Sequence, residues 1–150
     1  MNPVSQGESR FCRMEGWTGQ WRWNRATAAF SDPLHQQLPR EQVQEVVVRG
    51  SKLWMRNTKV AEDGSRRTWV FDGAFDGVPR PIHWEDGSVL TSIGFFLLDD
   101  CRAGDAYIAP GGAVVGSEHF LLDGDALKVW GALTFQGGHY PYFEEWERIG

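Results

Sequence analysis

The sequence lacks the features that would tie it to a metal, a membrane or a nucleic acid. Its only two cysteines, Cys12 and Cys101, form neither a C-x-x-C pair nor a zinc-ligand spacing. The first fifteen residues contain no apolar run long enough for a signal peptide or a bilayer span. The net charge is −5, with acidic and basic residues interspersed, so no positive surface for phosphates is expected. We therefore predict a reduced, cytoplasmic protein that binds no nucleic acid and no membrane.

Catalytic and cofactor signatures are also missing. The chain has no G-x-S-x-G or H-E-x-x-H motif, and the glycine-rich stretch at residues 111–116 lacks the Lys-Ser/Thr of a phosphate loop. The four histidines do not have the spacing of a helical metal site. We predict no metal and no cofactor, and no motif in the sequence indicates a particular reaction.

Aromatic residues and turn signals are abundant. There are eight Trp and nine Phe, residues favoured on pleated strands and in pocket walls. From Gly19 onward, apolar stretches alternate with Gly, Asp and Pro, and residues 113–122 and 126–135 form the clearest hairpin, because Gly124 supplies a positive φ. This pattern predicts an all-β antiparallel fold of eight to ten strands. We expect residues 1–15 to be flexible, residues 16–150 to form one domain, and residues 24–38 to have room for one helical turn.

The two ends of the chain carry complementary residues. Gly19-Gln20-Trp21 opens the first strand and Trp146-Glu147-Arg148 closes the last, so a guanidinium can cover a large ring where the two strands meet. This arrangement resembles the lipocalin-like (calycin) β-barrel family, and the spacing W-x-x-N-R-A-x-x-x-F from Trp21 is similar to that of bacterial members of unknown function. The resemblance implies an up-and-down barrel with a central cavity and with Trp21 under Arg148 at its closed end.

Side-chain alternation then places one row of the last strand inside the barrel. If Arg148 points inward, Tyr140, Tyr142, Glu144 and Trp146 share its face. A carboxylate among rings has a raised pKa, which suits acid–base chemistry, so Glu144 and Tyr142 are candidate catalytic residues. The alternative is a structural ion pair between Glu144 and an arginine such as Arg22.

A second strand leaves two alternatives open. Either Glu118 or His119 faces the cavity, because each of the two rows of residues 114–122 carries one titratable group. Both are candidate catalytic residues. The candidate ligand-binding residues are the aromatic side chains spread over the predicted strands: Trp23, Trp54, Trp69, Trp130, Tyr140 and Trp146.

Two function classes fit these features. An aromatic-lined cavity favours binding of a small hydrophobic or aromatic molecule, which requires only concavity and a few orienting polar groups. The alternative is a cofactor-independent isomerase, cyclase or lyase that uses the same cavity with acid–base residues.

Overall fold

Ten antiparallel strands close into a barrel in the computed structural model, which describes residues 13–33 and 38–150. A 3₁₀ helix at Met14–Trp17 precedes the first strand. The strands, in chain order, are β1 (Gly19–Trp23), β2 (Ala29–Phe30), β3 (Glu41–Arg49), β4 (Lys52–Val60), β5 (Arg66–Ala74), β6 (Arg80–Trp84), β7 (Val89–Leu97), β8 (Arg102–Ile108), β9 (Val114–Asp123), β10 (Ala126–Phe135) and β11 (Gly138–Arg148).

The barrel closes where β1 pairs with β11. From β3 to β11 each strand pairs with its neighbours in sequence, and β1 bridges β3 and β11. Trp21 lies opposite Arg148 in this register, and Trp23 lies opposite Trp146. The two-residue strand β2 pairs with a different part of β11, where Phe30 lies opposite Tyr142. The prediction of an all-β antiparallel barrel of eight to ten strands is confirmed.

Alternating burial assigns one row of each strand to the interior. In β3, Gln42, Gln44, Val46 and Val48 are buried while the residues between them are half-buried. Successive side chains in a strand point to opposite faces, so these four residues form one inward row. The row is apolar at Val46 and Val48 and polar at Gln42 and Gln44. The interior of the barrel is therefore an apolar core at the closed end and a polar-lined space nearer the open end.

The closed end is plugged by the 3₁₀ helix and by the terminal arginine. The Trp21 side chain is 1% exposed, and the guanidinium carbon of Arg148 lies 4.4 Å from the centroid of its ring. Arg148 also donates hydrogen bonds to the carbonyl oxygens of Thr18, at 2.7 Å, and of Gly16. The Trp17 indole donates to the Asp100 carbonyl at 2.8 Å, which ties the helix to the loop between β7 and β8.

Three expectations need correction or limitation. Met14 and Glu15, which we placed in a flexible segment, belong to the 3₁₀ helix, while residues 1–12 lie outside the described residues. In the described part of residues 24–38, where one helical turn was expected, residues 25–27 form a turn in which the Thr27 and Ala28 amides donate to the carbonyl oxygens of Asn24 and Arg25, and no helix follows in that part. Residues 34–37 lie outside the described residues.

The state of Cys101 also differs from the expectation. It is disulfide-bonded in the structure, whereas the sequence reasoning took both cysteines as reduced.

Candidate functional site: the barrel cavity

A cavity of about 370 Å³ occupies the interior between the apolar core and the open end. Aromatic and aliphatic side chains form much of its wall, among them Trp69, Ile93, Phe95, Phe120 and Trp146. The polar residues of the wall are Gln42, Gln44, Asn57, Lys59, Thr91, Asp105, Tyr107, Glu118 and Glu144. The cavity therefore combines an apolar wall with a group of ionisable side chains.

A row of side chains across three strand pairs builds the polar part of the wall. Asp105 of β8 lies opposite Glu118 of β9, which lies opposite Gly131 of β10, and Gly131 lies opposite Tyr142 of β11. A Cβ atom at Gly131 would overlap the Tyr142 ring, so only glycine leaves space for that ring. The ring lies over Gly131, and its hydroxyl thereby reaches the carboxylate of Glu118.

Two tyrosines hold the Glu118 carboxylate in place. The Tyr142 hydroxyl donates to Oε2 at 2.6 Å, and the Tyr107 hydroxyl donates to Oε1 at 2.9 Å. Burial, followed by the neighbouring charge of Glu118, raises the pKa of both tyrosines, so both remain donors at neutral pH. Phe30 stacks on Tyr142 with ring centroids 5.2 Å apart, which fixes the ring from the β2 side.

Asp105 is a buried carboxyl group without a donor. Its side chain is 2% exposed, and neither carboxyl oxygen makes a hydrogen bond of good geometry in the described part of the chain, although the side chain and backbone of Glu118 lie close enough to affect its pKa. Burial raises the pKa of Asp105 well above its ordinary value, and the charge of Glu118 raises it further. Two carboxylates can share a hydrogen bond only if one keeps its proton. Because two tyrosines already donate to Glu118, we assign that proton to Asp105.

Glu144 is the third carboxyl group of the cavity. The indole Nε1 of Trp146 donates to its Oε2 at 3.1 Å. Burial and the charge of Glu118 raise the pKa of Glu144 from 4.5 to about 7, against the opposing effects of the Trp146 hydrogen bond and the Lys59 charge. Lys59 is exposed to solvent where the cavity opens, yet the surrounding barrel atoms lower the pKa of its ammonium group. Glu144 therefore changes charge near neutral pH.

The raised pKa of Glu144 predicts that the protein loses stability as the pH rises. The folded state binds this proton more tightly than the unfolded state, so the contribution is full below pH 4.5 and is lost as the pH passes about 7. Between pH 5 and pH 8 we expect Glu144 to lower the free energy of unfolding by roughly 2 kcal/mol, because water at the cavity mouth weakens the full effect of the shift. The raised pKa of Asp105 acts in the same direction in both proteins, so urea unfolding of the wild type and Glu144→Gln at both pH values should show a decrease that is smaller in the variant by about that amount. An equal decrease in both proteins would contradict the assignment.

The structure brings several predicted site residues together. Glu118, Glu144, Trp69 and Trp146 line the cavity, and Tyr142 reaches it through its hydrogen bond to Glu118. The choice between Glu118 and His119 is resolved in favour of Glu118. His119 is exposed and lies on the outer face of β9, so its assignment as a catalytic candidate in the cavity was wrong.

Four of the six candidate ligand-binding residues do not line the cavity, and two of these four lie on the outer face of the barrel. Trp54 faces outward beside Val47 and Asp72, because the interior row of β4 is formed by its neighbours Leu53 and Met55. Trp130 is 46% exposed and packs on Phe143 across the outer face, with ring centroids 5.5 Å apart.

Trp23 and Tyr140 point inward but do not line the cavity. Trp23 is buried in the apolar core, and Tyr140 is half-buried against Phe135 with ring centroids 4.8 Å apart. The alternative pairing of Glu144 with Arg22 is also wrong. Arg22 is exposed and lies opposite Glu147 in the register of β1 and β11.

Sequence reasoning missed Asp105, Tyr107 and Lys59. Asp105 follows a glycine, a combination typical of turns, and only its register opposite Glu118 shows that it points into the barrel. Lys59 shares the inward row of β4 with Met55 and Asn57, but both rows of that strand carry large side chains. The alternation of β4 divides its residues into two rows, but no residue of that strand indicates which row faces the interior.

Neither a metal site nor a membrane helix is found in residues 13–33 and 38–150. No group of three or more His, Cys, Asp or Glu side chains there is arranged to hold a metal ion. Within the same residues, no helix has the length and apolar character needed to cross a bilayer.

Comparisons with known proteins identify the barrel type. No protein-family model and no curated protein sequence matches the chain. Among solved structures, zebrafish ileal bile acid-binding protein in complex with cholic acid is similar, with a TM-score of 0.57 and 12% identity over 89% of this chain and 99% of that chain. Lobster apocrustacyanin A1 aligns with a TM-score of 0.45 and 12% identity over 97% of this chain and 66% of that chain. The chain folds as a closed, antiparallel, ten-strand barrel that is similar to the barrel of the zebrafish protein.

Proposed function

We propose that the protein binds a small, largely apolar or aromatic molecule in the barrel cavity. The observation that carries the proposal is the cavity itself, with a volume of about 370 Å³. Ligand pockets occupy roughly 300–1,000 Å³ and combine apolar walls with a few convergent polar groups. Trp69, Phe95 and Trp146 supply such a wall beside the carboxyl groups. The zebrafish protein with the same barrel type, described in complex with cholic acid, supports this proposal.

The closure of the barrel supports a family assignment as well. Trp21 and Arg148 make the contact that their resemblance to lipocalin-like proteins implied. We propose that the chain is a distant member of that family and that its cavity serves as the container.

Tryptophan fluorescence tests the binding proposal. We expect the neutral probe N-phenyl-1-naphthylamine to quench tryptophan emission saturably, because Trp69 and Trp146 line the cavity. Trp146→Phe keeps an aromatic ring but removes one of the two indoles, so it should reduce the quenching amplitude. Trp130→Phe is the matched control on the outer face and should leave the absolute amplitude of the quenching nearly unchanged. Quenching that is not saturable, or that depends on Trp130 instead, would contradict binding in the cavity.

One observation favours acid–base catalysis as a second candidate function. Glu144 has a pKa raised to about 7, close to the value that suits a general acid or base at neutral pH. A binding protein releases its ligand unchanged, whereas an enzyme with this mechanism converts it with a rate that follows the ionisation of Glu144. Glu144→Gln would then abolish conversion of a bound compound while the compound still binds. Recovery of every bound compound unchanged after long incubation with the wild type argues for binding alone.

A further inference from the structure

We infer that the cavity selects a ligand with a positively charged amine, which sits against Glu118 and Glu144 while its apolar body lies along the aromatic wall. This inference rests on the proposed binding function and adds to it the chemical class of the ligand, an amphipathic organic amine. It follows from an excess of hydrogen-bond acceptors and negative charge inside the barrel.

The ionisable groups that face the cavity are unequal in charge. The acidic groups are Asp105 from β8, Glu118 from β9 and Glu144 from β11, and the single cationic group is Lys59 from β4. Tyr107 also faces the cavity, while the lining residues from β3 and β10 are uncharged. Lys59 forms no ion pair in the described part of the chain and lies at the exposed mouth. Because Asp105 keeps its proton, Glu118 and Glu144 carry the negative charge of the cavity, and Lys59, whose charge acts on both, is the single cation against them.

Asp105 provides an independent observation that points to a donor. Within residues 13–33 and 38–150 its nearest polar neighbour is Glu118, and neither of its oxygens makes a hydrogen bond of good geometry, although the side chain is 2% exposed and lines the cavity. Buried acceptors in folded proteins almost always have partners. A proton shared with Glu118 satisfies only one oxygen of Asp105, so an acceptor is still unpaired. An ammonium group has three donors and no acceptor, which matches this deficit.

The apolar side chains of the wall indicate the chemical character of the rest of the ligand. The carboxylates of Glu118 and Glu144 share the cavity with the rings of Phe120 and Trp146, so one molecule can meet a polar and an apolar surface together. A bare metal ion does not fit, because no group of carboxyl side chains among the described residues is arranged to coordinate one. The geometry therefore favours an organic cation with an aromatic or aliphatic body.

Three probes with one body and different charges test the inference. We would titrate 2-(2-naphthyl)ethylamine, 2-(2-naphthyl)ethanol and 2-naphthylacetate into the protein by calorimetry at pH 8. Because hydrogen bonds to charged groups are stronger than neutral ones, the amine should bind at least about tenfold more tightly than the alcohol, and the acetate most weakly. The alkylamine stays protonated over the range studied, as lysine does.

The pH dependence should have a defined sign. The ammonium group favours ionised Glu144, whose pKa is about 7 in the free protein, so binding of the amine releases protons. Affinity for the amine should rise about tenfold from pH 6 to pH 8, while affinity for the alcohol should change little. Tighter binding of the amine at pH 6 than at pH 8 would overturn the inference.

Two variants test where the ammonium group of the amine probe binds. Glu144→Gln preserves shape and removes the charge, so it should weaken the amine about tenfold and the alcohol much less. Glu145→Gln, at the adjacent outward-facing position, is the matched control and should affect neither probe. If a variant unfolds, the comparison of probes and pH values in the wild type still decides the question.

The outcomes separate this inference from the proposed function. If none of the three probes binds, the proposed function fails and the inference fails with it. If the alcohol binds as tightly as the amine, or the acetate binds most tightly and loses affinity in Lys59→Met, the cavity binds ligands but does not select cations. Only preference for the amine, with loss in Glu144→Gln and not in Glu145→Gln, supports the inference.

Discussion

Trp21→Ala should lower the free energy of unfolding by about 4 kcal/mol, because truncating a buried tryptophan removes its apolar contacts and leaves a cavity. Trp21 is 1% exposed and packs under the Arg148 guanidinium, where the first and last strands of the barrel meet. Removal of the ring also leaves Arg148 without the surface that it covers. Urea unfolding followed by circular dichroism gives the free energy directly.

Trp54→Ala is the control for this prediction. Trp54 is half-buried on the outer face, so the same change of residue type should cost about 1 kcal/mol, as for an average substitution. Equal losses in the free energy of unfolding would contradict the claim that the contact between Trp21 and Arg148 stabilises the closure of the barrel.

Gly131→Ala should lower the free energy of unfolding by about 3 kcal/mol, through overpacking and through the loss of a buried hydrogen bond. The new methyl group would overlap the Tyr142 ring and displace the hydroxyl that donates to Glu118 at 2.6 Å. The same urea measurement tests this variant, and the amine probe should also bind more weakly because Glu118 loses a positioning partner.

Gly116→Ala is the matched control in the neighbouring strand. Its methyl group would lie 3.0 Å from a terminal carbon of Leu133 and 3.2 Å from both the Ala132 carbonyl oxygen and a Tyr107 ring carbon, so each contact is longer than the one to the Tyr142 ring at Gly131. We therefore expect a smaller loss than in Gly131→Ala. If Gly131→Ala loses no more stability than Gly116→Ala, the absence of a side chain at residue 131 is not needed to accommodate the Tyr142 ring.

Much of the barrel could be predicted from residues at its two ends. Trp21 and Arg148 are complementary in type, and once Arg148 is placed inside, alternation carries the assignment along β11 to Trp146, Glu144 and Tyr142. This reasoning needs only one anchor and one strand. It succeeded in placing that row because β11 is continuous from Gly138 to Arg148.

The other cavity residues could not be predicted in the same way, because no residue of their strands was known to point inward. Glu118 and His119 occupy adjacent positions in β9, and only pairing with Asp105 and Gly131 shows which one points inward. Trp130 belongs to the outer row of β10, where it packs on Phe143, so aromatic character alone gave the wrong face. Cavity residues depend on register between strands, which a single sequence does not contain.

The central claim, that the interior of the barrel is a ligand site, is tested most directly by the indole N–H signals in an NMR titration. Each of the eight tryptophans gives one signal, and we would add 2-(2-naphthyl)ethylamine or, if it does not bind, N-phenyl-1-naphthylamine. The signals of Trp69 and Trp146 should shift saturably, and that of Trp146 most, because its indole N–H contacts Glu144. The signals of Trp54 and Trp130 on the outer face should stay in place. Shifts confined to Trp54 and Trp130, or no shift with either probe, would contradict a ligand site inside the barrel.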